Sequence, residues 1–301
     1  MLSYRHVFHA GNHADVLKHA VLLAVLAYLN QKDKPYWVVD THAGAGGYRL
    51  DAGRATTHAE FKDGIGRLLD CPDLSPLLAR YVQAVRVDNP DGLLRRYPGS
   101  PLLTLRALRP ADRLRLFELH PADVKLLAQN LVGAAPDAQQ RVAIKQEDGF
   151  AGMKALLPPP SRRGLVLIDP SYEDKRDYAA VVAAVKEGLT RFATGTFMVW
   201  YPLLQKNESI TLAGKLKKLA PDWLHATLKV QAPAADRMGM HGSGVFLVNP
   251  PWTLAAELKE ALPWLADTLK LGAPQGLPSV ADGMKCPEAG TASWSMETSA
   301  S

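Results

Sequence analysis

Four short apolar segments, each tipped by an acid, constrain this chain more than any other feature. Tyr36 to Asp40, Arg113 to His120 (which carries Glu118), Val142 to Gln146 (followed by Asp148) and Leu165 to Asp169 read as strands. Helical spacing of apolar residues predicts helices over 14–30, 101–108, 121–132, 177–190, 207–219 and 253–270. Further strands are expected over 196–201, 226–231 and 244–248. Strands alternating with helices imply an α/β fold, a mainly parallel sheet with helices on both faces. Ligands of such sheets bind at the carboxyl ends of the strands, where Asp40, Glu118, Asp148 and Asp169 all fall.

Composition narrows the class. The 301 residues are 47% hydrophobic and 22% charged, which suits a soluble globular chain with a sizeable core. The balance of 35 basic and 30 acidic residues, net +5, permits a polyanionic partner without requiring one. Two cysteines, Cys71 and Cys286, build neither a disulfide framework nor a zinc site, which points to a reducing compartment and no metal. Arg5, His6 and Asp15 interrupt the N-terminus, unlike a signal peptide. No apolar run approaches the ~18 residues of a membrane span. A cytoplasmic enzyme is expected. The acid-tipped pattern assigns 1–51 and 98–271 to the catalytic core, with an N-terminal motif and helix over 1–30. Residues 52–97 lack strand signals and read as a small helical insertion. Residues 272–301 are rich in Gly, Pro, Ala, Ser and Thr and read as a flexible tail.

Two motifs carry chemistry. Asp40-Thr41-His42-Ala43-Gly44-Ala45-Gly46-Gly47 is a glycine-rich loop at an expected strand-to-helix turn, where Gly44 lets backbone approach a ligand. The third glycine of a dinucleotide fingerprint is replaced by Arg49, which argues against a nicotinamide cofactor. Glu118 is placed to accept ribose hydroxyls. Asp148 is placed to accept from an adenine amine, with Gly149 leaving room for the ring. Asp169-Pro170-Ser171-Tyr172 suits methylation of the exocyclic amine of adenine. A carboxylate and the Pro170 carbonyl can take the two N–H bonds and expose the lone pair, while Tyr172 stacks on a base removed from its helix.

Other features compete for attention. Asn249-Pro250-Pro251-Trp252 matches the adenine-amine pattern better in letters, but it follows the last strand, far from the glycine loop. His6, His9, His13 and His19 cluster with Lys18 near the N-terminus. They suit a basic edge for RNA phosphates better than a metal site. Arg162 with Arg163, and Lys215 with Lys217 and Lys218, are further phosphate candidates.

Met1 to His19, Asp40 to Gly46, Tyr97 to Pro101, Glu118 to Pro121, Ser161 to Gly164, Ile168 to Tyr172 and Trp200 to Pro202 resemble the bacterial ribosomal RNA large subunit methyltransferase J family. The resemblance runs to about Leu269. It implies a Rossmann-like fold and an S-adenosylmethionine-dependent enzyme that methylates N6 of one adenine in 23S rRNA, either protein-free or in an early assembly intermediate. It implies that His19, His42, Ser100, Glu118, Asp148, Gly149 and Asp169 line the cofactor pocket. Asp169 is then the catalytic residue, Tyr4 contacts the substrate and Lys18 helps form the active site. A monomer is expected. The sequence departs from the usual motif at Ser171, where a second proline is normal, and a slightly looser loop is expected there. A DNA adenine methyltransferase and a non-catalytic RNA-binding module with this fold are the alternatives.

Overall fold

The structure, a computed structural model, describes residues 6–51, 59–135, 137–234, 239–271 and 292–299. A 3-10 turn at His6–Phe8 precedes α1 (His13–Asn30). The Asn12 side chain caps α1 by accepting from the Ala14 and Asp15 amides. Almost all of α1 is buried, as expected of a helix that is apolar on nearly every side.

The chain continues through β1 (Trp37–Asp40), β2 (Gly47–Arg49), α2 (Pro76–Arg86), β3 (Arg96–Pro98), α3 (Ser100–Ala107) and β4 (Arg113–Phe117). Next come α4 (Pro121–Ala134), α5 (Ala138–Arg141), β5 (Val142–Lys145), α6 (Gly149–Leu156), β6 (Gly164–Ile168), α7 (Arg176–Arg191) and β7 (Thr196–Leu203). Finally α8 (Asn207–Lys217), β8 (Trp223–Lys229), β9 (Gly242–Val248), α9 (Leu254–Thr268) and β10 (Ser293–Thr298) complete it.

Eight strands form one sheet in the order β10-β8-β9-β7-β6-β1-β4-β5. β5, β4, β1, β6 and β7 are parallel, and β9, β8 and β10 continue the sheet antiparallel. The strand order reverses at β1, which pairs with β4 on one side and β6 on the other. Alternation sorts the strand side chains into two apolar cores. Val38, Leu114, Leu116, Leu165 and Leu167 face α1, α3 and α9. Val39, Phe117, Val166 and Ile168 face α6, α7 and α8. The expected α/β class and helix-covered parallel sheet are present. No described helix is long and apolar enough to cross a membrane.

Three expectations need correction. The glycine loop leads into β2 and not into a helix, because Gly47–Arg49 pairs antiparallel with Arg96–Pro98. The segment between these strands therefore leaves and returns at one point. Its Ile65, Leu68, Leu77, Leu78 and Tyr81 share the core of α1, so it packs as part of the same body. Second, the 272–301 segment is not flexible throughout: Ser293–Thr298 forms β10 and pairs with β8 over its whole length. Residues 272–291, 300 and 301 lie outside the described residues. Third, β7 runs past the expected Tyr201 to Leu203, through Pro202. Its pairing with β6 stops at Val199, while its pairing with β9 continues to Leu203. Pro202 thus sits where one side of the strand is already an edge, and no ladder bond is lost.

Candidate active site

The parallel strands all end at one rim. There α1 delivers Lys18 and β6 delivers Asp169, 151 residues apart. Lys18 Nζ donates to Asp169 Oδ2 at 2.7 Å and lies 2.9 Å from Asp15 Oδ1, one helical turn back. Lys18 is 4% and Asp15 1% exposed, so this charge group is shielded from water. Burial opposes the Lys18 charge, but Asp15 and Asp169 together raise the ammonium above its ordinary range. Burial also opposes the Asp15 charge, yet His6 and the Lys18 ammonium hold the carboxyl well below the usual range. Asp15 Oδ2 bonds His6 Nε2 at 2.9 Å and accepts from the Gly11 amide at 2.9 Å.

Two clefts meet at this group. The first is lined by Lys18, His19, His42, Gly44, Ser100, Glu118, Gly149, Asp169 and Pro170. The second is lined by Lys18, Asp169, Ser171, Tyr172, Trp200 and Met240, among others. Ser171 borders both.

The first cleft has an acidic, backbone-anchored wall. Gly44 holds φ at +59°, a conformation that favours glycine. Its amide donates to Glu118 Oε2 at 2.8 Å, and the His120 amide donates to Oε1 at 2.8 Å. Each oxygen keeps a second lone pair for a ligand. Ser100 Oγ donates to Asp40 Oδ2 at 2.7 Å, and the His42 amide donates to Oδ1 at 3.2 Å. Burial nonetheless lifts the Asp40 carboxyl to about 6. Burial lowers His42 to about 4 and His19 to about 3, so both imidazoles are neutral at physiological pH. His19 Nδ1 is bonded to the Tyr97 hydroxyl at 2.7 Å, and Tyr97 in turn to Tyr81 at 2.9 Å.

Some predicted residues are placed differently than expected. Asp148 Oδ1 caps α6, accepting from the Phe150 and Ala151 amides at 2.7 and 3.3 Å, so only Oδ2 is uncommitted. Gly149 is required by packing and not only by room for a ring: a Cβ there would lie 2.0 Å from the Thr41 carbonyl oxygen. Tyr172 belongs to the second cleft and is only 3% exposed. Its hydroxyl donates to the Trp200 carbonyl at 2.7 Å, and its ring packs on Tyr178 at 4.6 Å between centroids. It adopts φ +55°, a strained setting for an aromatic residue. Tyr4 lies outside the described residues. His6, Asp15 and Trp200 were not singled out as site residues by the sequence. The available signal was charge inside an otherwise apolar helix, since Asp15, Lys18 and His19 interrupt α1.

The Asn249 turn and the later basic pairs sit at the opposite end. β9 runs against β7 with Val248 beside Phe197, so Asn249 emerges at the amino end of the parallel strands. Arg162 and Arg163 precede β6 at that same end, and α8 runs back there to Lys215 and Lys217. Arg163 reaches the Lys34 carbonyl at 2.6 Å, and Lys217 pairs with Glu297 at 2.6 Å. No group of three or more His, Cys, Asp or Glu side chains that could hold a metal occurs among the described residues.

A parallel sheet reversed at β1 and extended by antiparallel strands is the Rossmann-like architecture of methyltransferases, with the clefts where that class keeps its ligands. The comparisons narrow the class. Residues 33–281 match the model of the family described as ribosomal RNA large subunit methyltransferase D, RlmJ. The chain is 46% identical to ribosomal RNA large subunit methyltransferase J of Haemophilus influenzae over 273 residues, covering 89% of this chain and 94% of that protein. It is 44% identical to the protein of that name from Escherichia coli over 272 residues, with the same coverage. A crystal structure of protein LPL1258 from Legionella pneumophila superposes with a TM-score of 0.83 at 34% identity, covering 96% of this chain and 98% of that one. The chain belongs to the RlmJ family of ribosomal RNA large subunit methyltransferases.

Proposed function

We propose that this protein transfers a methyl group from S-adenosylmethionine to N6 of an adenine in 23S rRNA. The observation that carries this reading is the junction of two clefts at Asp169, whose carboxylate is held by Lys18. The first cleft suits the cofactor. Glu118 offers lone pairs to the ribose hydroxyls, and Asp148 Oδ2 and the Gly149 region border its adenine. Gly44, His19, His42 and Ser100 complete the wall. The cofactor supplies the electrophilic methyl group.

The protein's own task is positioning and charge. Lys18 takes Asp169 Oδ2 and leaves Oδ1 to accept from the target amine, with the Pro170 carbonyl accepting its second N–H. The target adenine occupies the second cleft. Tyr172, through its fixed ring, forms part of the floor of that cleft, and Tyr4 is assigned a substrate contact on the family resemblance. Asp169 needs only to orient the amine, whose proton becomes acidic as the methyl arrives and then passes to the Asp169 carboxylate or to water. Residues 1–51 and 98–271 form the catalytic body, with 52–97 as a helical insertion. The acceptor is protein-free 23S rRNA or an early assembly intermediate, met by a monomer in the cytoplasm.

The test is transfer of labelled methyl from S-adenosylmethionine to protein-free 23S rRNA and to DNA, with nucleoside digestion and an Asp169→Ala control. Label in N6-methyladenosine from RNA alone, lost in the variant, is the expected result. Label in DNA, or undiminished transfer by Asp169→Ala, overturns the reading.

A further inference from the structure

Lys18 puts a buried positive charge where a cationic sulfonium is expected, and like charges in a shielded site repel more strongly than in water. Building on the cofactor assignment above, we infer that Asp15 is the counter-charge that lets Lys18 sit there, a positioning residue that biases the site toward the sulfonium cofactor over its neutral thioether product.

The charge count carries the argument. Lys18 Nζ lies between Asp15 Oδ1 at 2.9 Å and Asp169 Oδ2 at 2.7 Å. One ammonium and two carboxylates sum to −1, opposite to a sulfonium. Remove the Asp15 charge and the group is neutral, with Asp169 alone balancing the lysine. Lys18 would then be held only by the carboxylate that must also receive the target amine. Asp15 is held in place independently of Lys18 by the Gly11 amide and His6. It lies in the first turn of α1, where the helix end favours a negative charge. His19 Nε2, 3.9 Å from Asp15 Oδ1, is neutral and does not change the sum. Asp40 is a further carboxyl near Asp169 and Lys18, held by Ser100 and the His42 amide and not by Asp15. A site with this bias binds the methyl donor and sheds the demethylated product, whose loss of charge removes the attraction.

Calorimetric titration of the full chain with S-adenosylmethionine and with S-adenosylhomocysteine, both at one pH, tests this. Asp15→Asn is expected to weaken binding of the sulfonium compound about tenfold and of the thioether by less than about twofold, since only the former carries a charge for the lost carboxylate to attract. Equal loss for both compounds, or no loss for either, overturns the inference and leaves Asp15 a packing residue. Should Asp15→Asn fail to fold, Lys18→Met serves: a shift of the affinity ratio toward the sulfonium supports the inference, and an unchanged or opposite shift overturns it. Wild-type protein that binds neither compound would instead refute the cofactor assignment itself.

Discussion

The molecule carries two turns of adenine-amine-like pattern, and they differ in where the fold puts them. Asp169-Pro170-Ser171-Tyr172 leaves β6 at the rim, and Asp169 Oδ2 meets a lysine from another element while two clefts open beside it. Asn249-Pro250-Pro251-Trp252 leaves β9 at the base. There the Asn249 side chain donates to the Ala193 and Gly195 carbonyls, both at 2.8 Å, and its own carbonyl accepts from Thr196 at 2.9 Å. One polar group lines two open clefts; the other is consumed in tying a loop to a strand. Trp252 is 79% exposed, whereas Tyr172 is packed. Strand direction, and not motif spelling, separates the turn that opens on the clefts from the one that is structural.

The comparison can be broken from either side. Asp169→Ala should lower methyl transfer by roughly 10³-fold or more while circular dichroism and melting stay near wild type, since an orienting acid is lost. Asn249→Ala should leave turnover per folded molecule unchanged. It should cost about 0.5–1.5 kcal/mol in denaturant unfolding, because two partly solvated carbonyls lose their donor. Equal catalytic losses in the two variants would erase the distinction.

A pH experiment sharpens it. Burial lifts Asp40 to about 6 at the rim, so between its unfolded value and about 6 the folded chain holds more protons than the unfolded chain. Stability from this group is therefore fully present below the unfolded pKa and is lost as pH rises through about 6. Asp40→Asn should remove that slope, read as the difference between wild-type and variant unfolding curves from about pH 4 to about pH 7. Smallest of all, Lys218→Ala at the base should change 23S rRNA affinity by less than about twofold in a filter-binding assay, because phosphate contacts count only where the RNA lies. A larger loss would place RNA at the wrong end of the sheet.

The parallel sheet was legible because its strands are short, apolar and acid-tipped, and the positions of Asp40, Glu118 and Asp169 followed from that alone. What the sequence hid is non-local. Asp15, Lys18 and Asp169 converge only after the fold closes a gap of 151 residues between the latter two. β2 and β3 are three residues each and owe their existence to each other. β10 lies in a stretch whose small and polar residues resemble a disordered segment. Its alternation Trp294, Met296 and Thr298 against Ser293, Ser295 and Glu297 is too short to announce a strand without β8 beside it.

That last strand has a consequence for the solution behaviour of the chain. β8 is buried through Leu224 to Leu228, and β10 occupies the hydrogen-bonding side that β9 leaves open. A strand of that kind with its amides bare is a template for other chains. β10 replaces it at the perimeter with a run whose Ser293, Trp294, Ser295 and Glu297 are exposed and which offers a weaker template. The last described residues thus act as a selvedge, finishing a sheet that would otherwise recruit its neighbours.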